Sequence, residues 1–349
     1  MSERTPSRAW PADDLEHVGS CPICGSRERA LLHQGIEDRL FFAAPGTWQL
    51  WRCPSCGCAY LDPRPTRESI GAAYRRYFPR QSDEQKPPSL RLSRLREGAW
   101  NGYVNRRFGY SLEPTSRLGG SIVGLFPKRR WNAALTVRGL PKPSGRPHLL
   151  DVGFGDASFL RFMAGAGWET AGLEVDEAAV RASRASGVGV ELGTVEEAPF
   201  DPGSFDAITL SHVVEHLHDP VASLRACCRL LRPNGVLWLA TPNLDSPGHR
   251  RFGANWFGLD PPRHVVLFEI HSLDQALAEA GFVRVQHPRT YRAGLVLAGS
   301  EALMKGQDAT SATTPESPGL RRLARVLDVA ATLHPRYGEE IVAMAWKPV

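Results

Sequence analysis

The sequence predicts an α/β protein built on a doubly wound, mostly parallel sheet. Three observations carry that expectation. Apolar runs of strand length alternate with helical patterns from His148 onward, a Gly-rich turn follows the first run, and acids close the second. Leu149, Leu150 and Val152 make the first strand, and Gly153 and Gly155 let the backbone turn sharply and approach a ligand closely. Phe159, Leu160 and Met163 then begin the apolar stripe of a helix. Thr170–Asp176 reads as a second strand, with Glu174 placed to hydrogen-bond a ribose and Asp176 better explained as the cap of a helix over Glu177–Ser186. Val188–Leu192 is the third strand. After the Pro/Gly turn at 199–205, Asp206–Ser211 is the fourth, and Asp219-Pro220 starts a helix because Asp caps and Pro is pre-set for the first turn. Pro233-Asn234-Gly235 turns into a fifth strand, Val236–Ala240. Ser272 and Gln275 are spaced as a capping box for a helix over Leu273–Ala280, ended by Gly281, and Phe282–Gln286 is a sixth strand. Helices are expected over Leu295–Lys305 and Leu320–Thr332, with Gln307–Pro318 as a flexible loop between them. Ile341–Trp346 supplies the seventh strand.

The cysteines are the second strong signal. Four of seven fall as Cys21-x-x-Cys24 and Cys53-x-x-Cys56, each pair with Pro after its first cysteine and Gly after its second. That spacing predicts a zinc ribbon, in which two tight knuckles turn four thiolates toward one tetrahedral ion. Four cysteine ligands close the coordination sphere, so the Zn2+ is expected to be structural. Redox dithiols are the competing reading, weakened because neither pair sits in a βαβ context. Cys58 is a spare thiol nearby, and Cys227 and Cys228 read as core residues. Between ribbon and sheet, Gln81–Ser89 reads as a polar, Pro-containing linker or mobile loop, while Leu92–Phe108 and Ser121–Arg138 show helical patterning broken by Gly and Pro, and these helices are expected to lie over the mouth of the site.

The segments DVGFGDA, GLEVD, FDAITLSHVVEHL and LLRPNGVLWLATPN, in that order, resemble the class I S-adenosylmethionine-dependent methyltransferases over about Leu149–Val349. The stretches CPICG…CPSCGCAYLDPRPT and NWFGLDPPRHVVLFEIHSLDQALAEAGF resemble one branch of that family, with a cysteine-paired segment before the methyltransferase domain and a Trp/Pro/His loop after the fifth strand. The resemblance implies a Rossmann-like, seven-stranded sheet with its last strand antiparallel, a small N-terminal zinc ribbon and helical insertions. It divides the chain into a ribbon-like segment (1–65), a helical linker over the active site (66–145) and a methyltransferase domain (146–349) with an acceptor loop at 242–270 and a helical insertion at 294–338. It also implies S-adenosyl-L-methionine as cofactor, held by Asp151, Gly153, Phe154, Gly155, Glu174, Val175, Val195, Glu196, Ser211 and His212. Two positions depart from the pattern: the third glycine is Ala157, and the acid often found after the third strand is Thr194. A dinucleotide oxidoreductase competes, since Gly153, Gly155 and Ser158 nearly spell its fingerprint. Serine at the third position and Asp151 two residues before the first glycine favour the methyl donor.

For methyl transfer the protein must hold an acceptor in line with the sulfonium and, for a hydroxyl, supply a base. His212, Glu215 and His216 follow the fourth strand at i, i+3 and i+4, a spacing that would put them on one helical face. His264 lies on the loop after the fifth strand. The candidate catalytic residues are therefore His264, His212 and His216, and His212, Glu215 and His216 also have ligand chemistry for a metal.

Composition is consistent with this reading. The chain has 349 residues, 42% of them hydrophobic, and a formal net charge of +5. No apolar run is long enough to cross a membrane and the N-terminus lacks a signal-peptide core, so a soluble cytoplasmic protein is expected. Ten Arg or Lys residues against two acids between Arg91 and Arg138 are read first as a solvated helical face. The expected acceptor is a small molecule or sugar, most simply methylated at oxygen. RNA methylation through the ribbon and basic helices, and a cofactor-binding scaffold without catalysis, remain as alternatives. Oligomeric state is not legible.

Overall fold

The computed structural model describes residues 9–75 and 90–349; the Gln81–Ser89 linker lies outside the described residues. The N-terminal strands are β1 (Leu15–Glu16), β2 (Ala30–Ile36), β3 (Trp48–Arg52), β4 (Ala59–Leu61) and β5 (Arg64–Pro65). Three helices follow: α1 (Leu90–Phe108), α2 (Arg117–Leu125) and α3 (Pro127–Leu135). Within the helical patterning of Ser121–Arg138 the break falls at Pro127, which has no N–H to continue α2 and instead occupies the first turn of α3.

The α/β half runs β6 (His148–Val152), α4 (Ser158–Gly165), β7 (Glu169–Glu174), α5 (Glu177–Ala185), β8 (Val190–Leu192), β9 (Phe205–Ser211), α6 (Pro220–Leu230) and β10 (Leu231–Pro242). It continues with α7 (Pro247–Phe252), β11 (Val266–Leu267), α8 (Ile270–Glu279), β12 (Arg284–Gln286), α9 (Ala293–Lys305), α10 (Pro318–Leu333) and β13 (Glu340–Trp346). Seven strands form one sheet in the order β12-β13-β10-β9-β6-β7-β8. The five from β8 to β10 are parallel and β13 runs antiparallel to both its neighbours, as expected. The order reverses between β6 and β9, so their carboxyl ends open the crevice where such sheets bind ligands.

Both faces of the sheet are covered. Leu150 and Val152 join a core with Leu224, Cys227 and Leu273, whereas Leu149 turns to the other face, with Val104 of α1, Val123 of α2 and Ala133 of α3. A strand buried on both sides needs the near-continuous apolar run that the sequence shows.

Asp176 caps α5 through Ala178 N–H and Asp219 caps α6 through Ala222 N–H, as their positions predicted. The capping box at α8 is placed differently. Glu269 is the cap and Ser272 the third helical residue, so the helix begins at Ile270 and the expected Ser272/Gln275 pair is not the box. The Pro233–Gly235 turn forms an irregularity inside β10, whose pairing with β9 shifts register between Leu231 and Val236. The 307–318 segment is irregular but tied down, since Glu301 accepts the N–H groups of Glu316 and Ser317.

A second sheet, ordered β11-β4-β3-β2, takes its first strand from the loop that follows β10. Its buried Tyr60, and Cys21, Ile23 and Cys53 of the adjoining turns, belong to the same core as Leu150, Val265 and Phe268. The cysteine-bearing segment is therefore packed into the body of the fold.

Candidate active site

At the end of β6 the chain turns through Gly153 (φ 70°) and Gly155 (φ 61°), where a left-handed backbone favours glycine. A Cβ at residue 153 would lie 2.4 Å from Val213 Cγ2, whereas at residue 155 it would face open space. Glu174 lies beneath this turn. Its carboxylate accepts the N–H groups of Gly155 (3.3 Å), Val175 (2.9 Å) and Asp176 (3.4 Å). Burial raises its pKa, against those three bonds.

Asp151, fully buried, accepts from Thr209 Oγ1 (2.7 Å) and from Arg138 Nη1 (2.5 Å). Arg138 lies over the Phe159 ring at 3.6 Å and has φ 49°. Among the described side chains of the basic stretch read as a solvated face it is the exception: it is 12% exposed and closes over the end of β6. The sequence reading missed this role, and a lone Arg among ten offered no signal for it.

Beyond β9 lies a cluster of histidines and acids. His212 (φ 56°) and the short 3-10 turn Val214–His216 replace the expected helical face, so the three side chains are brought together by a loop. Both nitrogens of His212 face carboxylates, Nδ1 toward Glu215 (3.2 Å) and Nε2 toward Glu340 (2.8 Å). Nδ1 donates to Glu215; at Nε2 the nearer partner is the Glu340 carboxylate, to which Nε2 donates, while Arg292 Nη1, itself only a donor, lies farther off at 3.2 Å. Burial would lower its pKa, but the bonds to Glu215 and Glu340 push it up to about 9. A pKa raised by two carboxylates disfavours His212 as a general base. Glu215 is fully buried. Burial works to raise it, and the bond and charge of His212 nonetheless hold it down at about 2. Arg292 Nη1 joins the cluster by donating to Glu340 (2.9 Å).

His216 and His264 stack edge to face with ring centroids 4.7 Å apart. His216 Nδ1 lies 2.8 Å from the Arg263 carbonyl and His264 Nδ1 lies 2.8 Å from the Gly258 carbonyl. A carbonyl only accepts, so each Nδ1 carries a proton, and in the neutral ring Nε2 is then the nitrogen with the lone pair. Burial and the neighbouring His264 lower the His216 pKa to about 4. The His264 Nε2 atom has no hydrogen-bond partner among the described residues and lies 4.0 Å from Glu215 Oε1. Glu215, His216 and His264 offer ligating atoms that all lie within 4.8 Å of one another. The metal-capable group expected at His212, Glu215 and His216 is thus corrected: His264 takes the place of His212, which is saturated by two carboxylates.

The loop carrying His264 is held by the N-terminal segment. Arg263, completely buried, donates to Asp38 (2.6 Å), Asp260 and the Ala73 carbonyl (2.9 Å). Arg52 pairs with Glu269 at 2.7 Å, and His33 bonds His249 at 2.9 Å. In that segment Cys21, Cys24, Cys53 and Cys56 converge, with Cys21 and Cys56 sulfurs 3.5 Å apart and Cys24 and Cys53 3.6 Å apart. Gly25 N–H donates to the Cys21 carbonyl and Gly57 N–H to that of Cys53, both at 2.9 Å, closing two equivalent knuckles. Cys58 is closer than expected, fully buried with its sulfur 3.3 Å from that of Cys21.

Residues 126–287 match a family model described as a methyltransferase domain. A ubiquinone biosynthesis O-methyltransferase of Thiobacillus denitrificans is 32% identical over 114 residues, covering 31% of this chain and 49% of that protein. The enzyme of the same name from Xanthomonas oryzae pv. oryzae is 37% identical over 102 residues, covering 27% and 43%. The chain therefore spans about half the length of these curated relatives. A solved S-adenosylmethionine-dependent methyltransferase of Thermotoga maritima aligns at 21% identity and a TM-score of 0.40, over 61% of this chain and 86% of that one.

Residues 126–287 carry a methyltransferase domain.

In this methyltransferase domain the residues at the glycine turn fit the cofactor. Asp151 Oδ2 is buried without a hydrogen-bond partner, an acceptor suited to an amino group. Val175 and Leu192 are exposed at the ends of neighbouring strands, apolar surfaces suited to a purine face. Leu192 was not singled out in the sequence reading. Other expected positions point elsewhere: Phe154 packs with Leu160, Val180 and Val190, Val195 lies in the core, and the Glu196 carboxylate accepts from Ser223 Oγ. Ser211 ends β9 beside His212.

Proposed function

We propose that this chain transfers the methyl group of S-adenosylmethionine to an oxygen of a small-molecule acceptor held at the carboxyl ends of β6, β9 and β10. The single observation that carries the reading is the placement of the buried His264 ring: its Nδ1 lies 2.8 Å from the Gly258 carbonyl, and its Nε2 lies between the carboxylates of Asp260 (3.9 Å) and Glu215 (4.0 Å) without a hydrogen bond to either. When bound, the cofactor supplies an activated methyl group on a sulfonium, so the protein's task is positioning and proton removal. His264 Nε2 takes the proton of the acceptor hydroxyl, and the buried Glu215 carboxylate nearby stabilises the imidazolium that results. His212, locked between Glu215 and Glu340, fixes that carboxylate in place. Asp151, Gly153, Gly155 and Glu174 hold the cofactor, and Cys21, Cys24, Cys53 and Cys56 hold a structural Zn2+.

Labelled methyl transfer to phenolic and sugar hydroxyls tests this reading. Wild-type protein is expected to form methyl ethers, and His264→Gln to lose about 100-fold in kcat with unchanged cofactor affinity. Equal rates in the two proteins overturn the assignment.

A second reading is favoured by the convergence of Glu215, His216 and His264. The same three side chains would hold a divalent cation that lowers the pKa of the acceptor hydroxyl. Two metal ions per chain, of which His216→Ala removes one, would establish it. One ion, lost on Cys21→Ser, would reject it.

A further inference from the structure

Two helices leave apolar residues in solvent. On α2, Leu118 (75% exposed), Ile122 and Leu125 (76%) recur at i, i+4 and i+7, and exposed Phe126 follows. On α10, Val326, Val329 and Leu333 (78%) make a second stripe, opposite the face where Leu320, Ala324 and Leu327 enter the core. At helical spacing each set shares one side of its helix. The two helices are linked: Phe126 stands two residues before Lys128, whose ammonium pairs with Asp328 of α10 at 2.7 Å. Single exposed apolar residues need no explanation, but two stripes joined in this way do.

Charge says what covers them. Between Pro114 and Leu150 the chain has no Asp or Glu, and α10 has one acid, Asp328, already neutralised by Lys128. Arg117, Arg129, Arg130, Arg322 and Arg325 are exposed around the stripes, with no carboxylate partner among the described residues. A second copy of this chain would bring like charge against like charge. Nucleic acid would satisfy the arginines and leave the apolar stripes in water. An anionic bilayer satisfies both, because acyl chains accept the leucines while headgroup phosphates accept the arginines.

We propose that α2 and α10, with the basic start of α3 between them, form a docking surface for an anionic phospholipid membrane, on which the protein lies peripherally. None of the helices among the described residues is long and apolar enough to cross a bilayer, so the contact is interfacial. The neighbouring Trp131–Tyr291 ring pair, with centroids 5.6 Å apart, connects α3 to the segment bearing Arg292. Docking would therefore bring the membrane close to the edge of the His212 cluster. This inference rests on surface composition alone and does not depend on the assignment of His264.

The test is co-sedimentation of the full chain with phosphatidylcholine vesicles and with vesicles containing phosphatidylglycerol, at low and high salt. Binding is expected only to the anionic vesicles, weakening with salt. The variants Leu118→Ser/Leu125→Ser and Val329→Ser/Leu333→Ser should each reduce it about tenfold, and Arg322→Glu/Arg325→Glu should reduce it comparably. Because all these positions face solvent, circular dichroism is expected to stay native. Absence of binding to any vesicle, equal binding to neutral vesicles, or a solution dimer that the stripe variants dissociate would each overturn the proposal.

Discussion

The proposed cofactor edge and the proposed acceptor edge of this crevice are built in opposite ways. At the cofactor edge the functional groups lie within one βαβ unit: Asp151, Gly153 and Gly155 follow a single strand, and Glu174 ends the next, accepting Gly155 N–H. At the acceptor edge, His212, Glu215, His264 and Glu340 come from three separate stretches, and the loop bearing His264 is clamped by Arg263 to Asp38. A local site is assembled by its own strand and turn. A distributed site depends on tertiary packing, and here that packing includes the cysteine-bearing sheet.

The sharpest way to break the comparison is to strike the clamp. Arg263→Met leaves the Asp38 and Asp260 carboxylates buried without their cation, and about 3–5 kcal/mol of stability should be lost in chemical denaturation. Cofactor affinity measured on the fraction still folded should change little. Next in size, Cys21→Ser should abolish the Zn2+ binding proposed for the four cysteines, lower Tm and impair methyl transfer more than cofactor binding. Equal losses of both would show that the two edges are one cooperative unit.

A smaller effect is expected from pH. The His212 pKa rises on folding from 6.5 to about 9, so its contribution to stability is fully present below pH 6.5 and is lost as pH rises toward 9. Glu215 is depressed from 4.5 to about 2, and its contribution is present above pH 4.5 and lost as pH falls toward 2. In His212→Gln the decline of Tm between pH 6.5 and 9 should flatten. The smallest effect belongs to Asp176→Ala, which removes the α5 cap at a cost of about 1 kcal/mol and leaves cofactor affinity unchanged if Glu174 alone meets the ribose.

Legibility in the sequence followed the same division. The strand, the turn at Gly153 and the caps at Asp176 and Asp219 were readable because each depends on residues a few positions apart. The paired cysteines were readable because metal geometry demands their spacing, and their sulfurs do converge. The protonation of His212 was not readable, since Glu340 lies 128 residues away and approaches only through β13. Arg138 was hidden for the same reason: its partner Asp151 is reached by a tertiary contact, and its neighbours suggested a solvated face. The α8 cap was misplaced by three residues because Glu269 and Ser272 exchange bonds in the reverse of the commoner order.

The most direct measurement is calorimetric titration of S-adenosylmethionine into the wild-type chain and Gly153→Val. A valine at φ 70° is strained, and its Cβ would collide with Val213, so the turn must move. Saturable one-to-one binding by the wild type and loss of more than about 100-fold in affinity in a folded variant are expected. No binding by the wild type, or unchanged affinity in the variant, would contradict a methyl-donor site at this turn.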